Sequence, residues 1–240
     1  MTILITRPRE DADTLAQKLS DHGIESVIEP LLTIHFEGGG PVDLAGAQAL
    51  VVTSANGLRA FVHRNPERDI DVIAVGDATA RAARQAGFRR VQSAAGDVTA
   101  LAELAMHTRD PGAGALVHVA GSRIAGDMKG LLEREGFTYR REVLYHAEKA
   151  TALAPETVTA IEAGTITGVA LYSPRTAGAF CALADAAGLG RGIGAVTAYC
   201  LSGQVAERVR ALNWRAVRIA PRPEEDALVR QIVEDRDAAL

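Results

Sequence analysis

The chain has 240 residues, of which 48% are apolar and 23% charged, and its net charge is -4. That composition excludes bulk disorder and suits one or two folded domains. The net negative charge, with only 4% aromatic residues, excludes a role built on a strong positive field or on base stacking.

Thr2 to Thr6 is a short apolar run that predicts a buried strand, broken by Arg7-Pro8. From Asp11 to His22 the apolar residues Ala12, Leu15, Ala16 and Leu19 have helical spacing, and Gly23 ends the helix. Ile24 to Ile28 returns to strand character, which completes a strand–helix–strand unit. Residues 30–37 are extended but lead into Gly38-Gly39-Gly40-Pro41 instead of a helix, so they read as a connector.

A second series follows. It alternates strands at 49–53, 71–75, 90–93 and 115–120 with helices at 56–63, 78–86, 98–107 and 128–135. Residues 139–149 are extended again, with no turn residue inside. A third series places helices at 155–163, 176–187, 204–212 and 225–233 around strands at 169–172, 196–201 and 216–219.

The second and third series match. Residues 52–61 set against 171–180 at an offset of 119, with Ser54 on Ser173 and Phe61 on Phe180. Later segments match at offsets of 126 and 127, which leaves room for a longer loop near Gly188 to Gly194. Two copies make a duplicated domain and not a solenoid. The expected fold is α/β, with two similar doubly wound parallel-sheet lobes joined by a two-stranded linker. Residues 1–30 and 150–240 are expected to form a discontinuous first lobe and residues 38–138 the second. Residues 31–37 and 139–149 are expected to be the linker, with a cleft between the lobes.

Ligands of open α/β sheets bind beyond the carboxyl ends of the strands. The polar residues expected there are Arg7, Thr53, Ser54, Asn56, Gly76, Thr79, Ser122, Arg123, Ser173, Arg175 and Ser202. At helix starts such residues expose N–H groups toward an anion, but they also serve as plain N-caps. Tyr145 stands in the returning extended segment. Its phenol either donates to a reacting oxygen or merely covers the hinge.

Other chemistry lacks a signature. There is no GxGxxG, no GxxxxGK[ST] and no GxSxG. The histidines have no metal-ligand spacing, and His118, inside an apolar strand, reads as a core residue. Cys181 and Cys200 read as buried hydrophobes in a reducing compartment. No signal peptide is visible and no apolar run approaches the roughly 18 residues of a membrane helix, so the expectation is a cytoplasmic protein without metal or cofactor.

The ordered set Ile5-Thr6-Arg7-Pro8, Pro30-Leu31-Leu32, Thr53-Ser54-Ala55-Asn56, Val75 to Ala80, Val143-Leu144-Tyr145 and Tyr172-Ser173-Pro174 resembles the uroporphyrinogen-III synthase family. The resemblance implies two α/β lobes on a two-stranded linker. It implies a lyase of heme and porphyrin biosynthesis acting on hydroxymethylbilane. That enzyme closes the ring with inversion of the terminal pyrrole, through a spiro intermediate, to give uroporphyrinogen III and water. Orientation of a folded substrate is the main demand. The resemblance further implies no cofactor and no metal, while the charge balance and the lack of a long apolar run predict no nucleic acid and no membrane as partners. It also implies a monomer in transient contact with the preceding pathway enzyme, with Tyr145 assisting departure of the hydroxyl. The family's Gly-x-x-Thr turn is kept at Gly76 to Thr79, but its repeat reads Ser202-Gly203-Gln204-Val205, without the hydroxyl at the fourth position. The alternative is a non-catalytic two-lobe binding protein for an anionic ligand. A regulatory module of the same fold is disfavoured because no DNA-binding segment is added.

Overall fold

The apolar run at the start becomes β1 (Thr2–Ile5), with all four residues buried. This is a computed structural model, and it describes residues 1–238 apart from Ala125. After β1 come α1 (Arg9–Ser20), β2 (Glu25–Ile28) and β3 (Leu32–Phe36). Then follow β4 (Ala47–Val52), α2 (Ala55–Arg64), β5 (Asp71–Ala74), α3 (Asp77–Gln85), β6 (Val91–Ser93) and α4 (Val98–Thr108). Next are β7 (Ala115–Gly121), α5 (Met128–Arg134), β8 (Tyr139–Lys149) and α6 (Pro155–Glu162). The chain continues with β9 (Gly168–Leu171), α7 (Pro174–Ala186), α8 (Gly190–Ile193) and β10 (Thr197–Cys200). It closes with α9 (Gly203–Val209), β11 (Ala216–Ile219) and α10 (Glu225–Asp237).

The chain divides into two units, one of Met1–Thr33 with Glu148 onward, the other of Ile34–Ala147. The first holds a five-stranded sheet in the order β11-β10-β9-β1-β2, with every neighbouring pair parallel. Successive strand residues point to opposite faces. Leu4, Val169, Leu171, Ala198 and Cys200 therefore pack on one side with Phe180 of α7 and Val205 of α9. Ile3, Ile5, Ala170 and Tyr199 pack on the other with Leu15 of α1 and Leu228 of α10. Both faces are covered, as parallel sheets require.

The second unit holds a six-stranded sheet in the order β3-β8-β7-β4-β5-β6. It obeys the same alternation. Leu50, Val52, Val117 and Val119 face Leu58 and Phe61 of α2, while Ala49, Val51, Ile73 and Leu116 face Leu101 of α4 and Leu132 of α5. The α/β class with parallel sheets is the one the sequence predicts.

The repeat is visible in the helix starts. Ser54 caps α2 by accepting from the Gly57 N–H at 3.1 Å, and Ser173 caps α7 by accepting from the Thr176 N–H at 3.1 Å.

Residues 139–149, expected as an extended linker strand, form β8, hydrogen-bonded in parallel to β7 over Leu116 to Gly121. Two elements depart from the sequence reading. The expected loop at 188–194 contains the short helix α8, despite its four glycines. Helix α7 begins at Pro174, two residues early, because proline's fixed φ suits the first helical turn.

Candidate functional site

Parallel pairing brings the carboxyl ends of adjacent strands to one edge. In the second unit β7, β4 and β5 are neighbours, so Ser122, Thr53-Ser54 and Gly76 follow one another along that edge. Strand order reverses between β4 and β7, the kind of switch point where open α/β sheets bind ligands. In the first unit the reversal falls between β1 and β9, which Arg7 and Ser173 follow. Ser202 follows the next strand, β10.

Tyr145 joins the edge of the second unit through a bulge. Val143 stands opposite Ala120, but Tyr145 stands opposite Gly121, so two residues of β8 span one step of β7. A bulge of this kind re-aims a side chain. The Tyr145 hydroxyl lies 2.8 Å from Ser54 Oγ, and its carbonyl accepts from the Ser122 N–H at 2.8 Å. Gly121 makes room for the ring, and Gly57 lets α2 approach the backbone of β7. A Cβ on Gly121 would sit 2.7 Å from Tyr145 Cζ and 3.0 Å from the hydroxyl. A Cβ on Gly57 would sit 2.4 Å from the Val119 carbonyl oxygen and 3.7 Å from the ring.

Thr53 turns to the other face of the sheet. Its Oγ1 is 2.9 Å from Nε2 of His118, whose Nδ1 is 2.6 Å from the Tyr139 hydroxyl. His118 is 8% exposed, and burial with the nearby Arg141 charge lowers its pKa to about 4. It is neutral at pH 7. Burial pushes the Tyr139 phenol up to about 12, so it stays protonated. His118 is thus a satisfied core histidine that also touches a candidate site residue.

The remaining candidates of this unit differ in what they offer. Asn56 Oδ1 already accepts from Arg59 at 2.8 Å. Thr79 is buried on α3, and Gly76 caps that helix without a side chain. Ser122 and Arg123 are exposed. Their loop is held by Arg141, whose guanidinium donates to the carbonyls of Gly121, Ser122 and Arg123.

In the first unit Arg7 is already engaged. It pairs with Glu225 at 2.5 Å and Asp11 at 2.9 Å, and it lies over the Tyr172 ring at 4.3 Å. Any anion held by Arg7 competes with those carboxylates. Tyr172 is desolvated and its phenol pushed strongly upward. Ser173 also lies 2.8 Å from Thr176 Oγ1, and Arg175 is half-buried in the first turn of α7. Ser202 precedes α9 and makes no side-chain cap bond, unlike Ser173.

Sequence reasoning missed Gly57, Gly121, Tyr139, Arg141 and Glu225. Gly57 adjoins the Thr53-Ser54-Ala55-Asn56 turn and was open to notice. Arg141 and Glu225 carry no local signal, because each acts on residues far along the chain.

Among the described residues no group of three or more His, Cys, Asp or Glu side chains is placed to hold a metal ion. No described helix is long and apolar enough to cross a membrane. Cys181 and Cys200 are buried, which raises their thiols to about 11 and about 12, away from nucleophilic thiolate.

The sequence model of the family described as uroporphyrinogen-III synthase HemD matches residues 13–230. The crystal structure of uroporphyrinogen-III synthetase from Helicobacter pylori 26695 is similar, with a TM-score of 0.63 and 14% identity over 98% of this chain and 99% of that one. A mutant uroporphyrinogen III synthase from the extremely thermophilic bacterium Thermus thermophilus gives a TM-score of 0.54 at 14% identity, over 100% of both chains. At that identity the two structures speak to the fold. No curated protein matches the chain significantly.

Proposed function

This chain belongs to the uroporphyrinogen-III synthase family, and we propose that Tyr145, with the strand-end turns beside it, carries the synthase reaction. The substrate is hydroxymethylbilane, a linear tetrapyrrole bearing acetate and propionate groups. The product is uroporphyrinogen III, with water released, so the reaction class is that of a cyclising hydro-lyase.

Tyr145 is the acid. Its phenol gives a proton to the departing hydroxyl, which leaves as water and creates an azafulvene cation. The substituted carbon of the terminal pyrrole attacks to form the spiro intermediate, which fragments and recloses in the inverted sense. Rearomatisation then releases one proton, which restores the phenol. Ser54, 2.8 Å from the Tyr145 hydroxyl, holds the group in place. That pair is the observation on which the residue assignment rests.

The carboxylates of the bilane are held by donors distributed over the strand ends. In the second unit these are Thr53, Ser54, Asn56, Gly76, Thr79, Ser122 and Arg123. In the first they are Arg7, Ser173, Arg175 and Ser202. Hydrogen bonds to charged groups contribute about 1.5–3 kcal/mol each, so no single one is indispensable. Bilane also closes unaided to the uninverted type I isomer, so the protein's task is to choose which carbon attacks. The family match does not favour a non-catalytic binder.

The test is the ratio of type III to type I product from hydroxymethylbilane, with purified protein, EDTA and no added cofactor. Mainly type III product is expected. Type I product alone, at the spontaneous rate, would return the chain to the binding-protein reading.

A further inference from the structure

The buried hydrogen-bond chain beneath Thr53 has a direction. Neutral imidazole carries one N–H donor and one acceptor nitrogen, so the two contacts of His118 are of opposite kinds. The contact between Nδ1 and the Tyr139 oxygen is 2.6 Å. The contact between Nε2 and Thr53 Oγ1 is 2.9 Å. A phenol, with an ordinary pKa of about 10, is a far better donor than an aliphatic hydroxyl, and an imidazole lone pair is a better acceptor than a phenol oxygen. The sequence of donation is therefore Tyr139 O–H to Nδ1, then Nε2–H to Thr53 Oγ1.

We propose that Tyr139 and His118 are positioning residues that occupy the acceptor side of Thr53 and so turn its hydroxyl hydrogen toward an anionic group of the substrate. With Oγ1 already accepting from His118, the Thr53 hydrogen is left to donate. The opposite tautomer would draw that hydrogen into His118 and present only lone pairs, which repel a carboxylate. The neutral state of His118 follows from its burial and from Arg141 nearby. The sheet supplies the alignment. Val51 pairs with His118 and Leu116 with Tyr139, so all three side chains of the chain rise from one face. This inference rests on the reading that Thr53 contacts a carboxylate of the bilane.

The first measurement needs no substrate. Nitrogen-15 NMR of the folded wild-type protein at pH 7 reads the His118 tautomer, and the Nε2–H form is expected. The Nδ1–H form would overturn the proposal. The second measurement is a double-mutant cycle on hydroxymethylbilane turnover. Tyr139→Phe should raise KM about three- to tenfold at unchanged kcat, because the tautomer is no longer biased. In the Thr53→Val background the same change should move KM less than about twofold, and Thr53→Ser should restore the dependence. An equal effect of Tyr139→Phe in both backgrounds would show that it acts elsewhere and would overturn the proposal. Absence of any type III product defeats the synthase reading instead, and the tautomer then decides the hydrogen-bond direction alone.

Discussion

The Tyr145 hydroxyl and Ser54 Oγ lie 2.8 Å apart although 91 residues separate them in sequence. Ser54 also caps α2, so one side chain ends a strand, starts a helix and holds the candidate acid. Tyr145→Phe removes one hydroxyl from a half-buried ring. Type III formation should fall about 10²-fold or more if the phenol is a positioned acid. Thermal unfolding should change little. Near-normal turnover would reduce Tyr145 to a packing residue.

Gly121 tests the position of the same ring. An alanine Cβ there would overlap Tyr145 at 2.7 Å from Cζ, so the ring must shift. Gly121→Ala should cost about 1–3 kcal/mol in denaturant unfolding, by overpacking, and should slow type III formation as well. Gly178, within α7, is the contrast, since a Cβ there meets nothing within 4 Å. Gly178→Ala should stabilise the protein by about 0.5–1 kcal/mol, because glycine in a helix loses more backbone entropy than alanine. If both changes destabilise equally, crowding at Tyr145 is not the cause.

Hydroxyl deletions in the turns separate capping from binding. Ser173→Ala removes the bond to the Thr176 N–H and should cost about 1 kcal/mol of stability. Ser202 makes no such cap bond, so Ser202→Ala should leave stability within about 0.5 kcal/mol. Thr79→Ala should lower the rate less than about tenfold, since the backbone N–H groups at that helix start remain. Urea titration and initial rates on the three variants check these expectations.

His118 makes stability depend on pH. Its folded pKa of about 4 lies below the ordinary 6.5, so the unfolded chain binds more protons between those values. The stabilisation is complete above pH 6.5, declines as pH falls, and is lost by about pH 4, with a total of about 3 kcal/mol. His118→Gln should flatten that part of the profile, as measured by urea unfolding at pH 7 and pH 4.5. An unchanged slope would assign the dependence to other groups.

Much of the fold was legible in the chain. Apolar runs such as Thr2 to Thr6 and Ala115 to Ala120 mark strands covered on both faces, and Gly23 closes its helix where expected. The offset of 119 foretold that Ser54 and Ser173 would occupy matching helix starts. These signals are local, because strand alternation, helical period and capping act within a few residues. The candidate site was legible only as a set of strand ends. Which of them meet Tyr145 depends on the bulge opposite Gly121, and a shift of one residue would send the ring to the other face. Arg7 looked free for an anion until the fold brought Glu225 to it from the far end of the chain. His118 read as a core residue, and only the pairing of β7 with β4 and β8 put it between Thr53 and Tyr139. Residue periodicity therefore determined the elements and their buried faces. Strand register, set by packing between distant segments, decided which side chains meet.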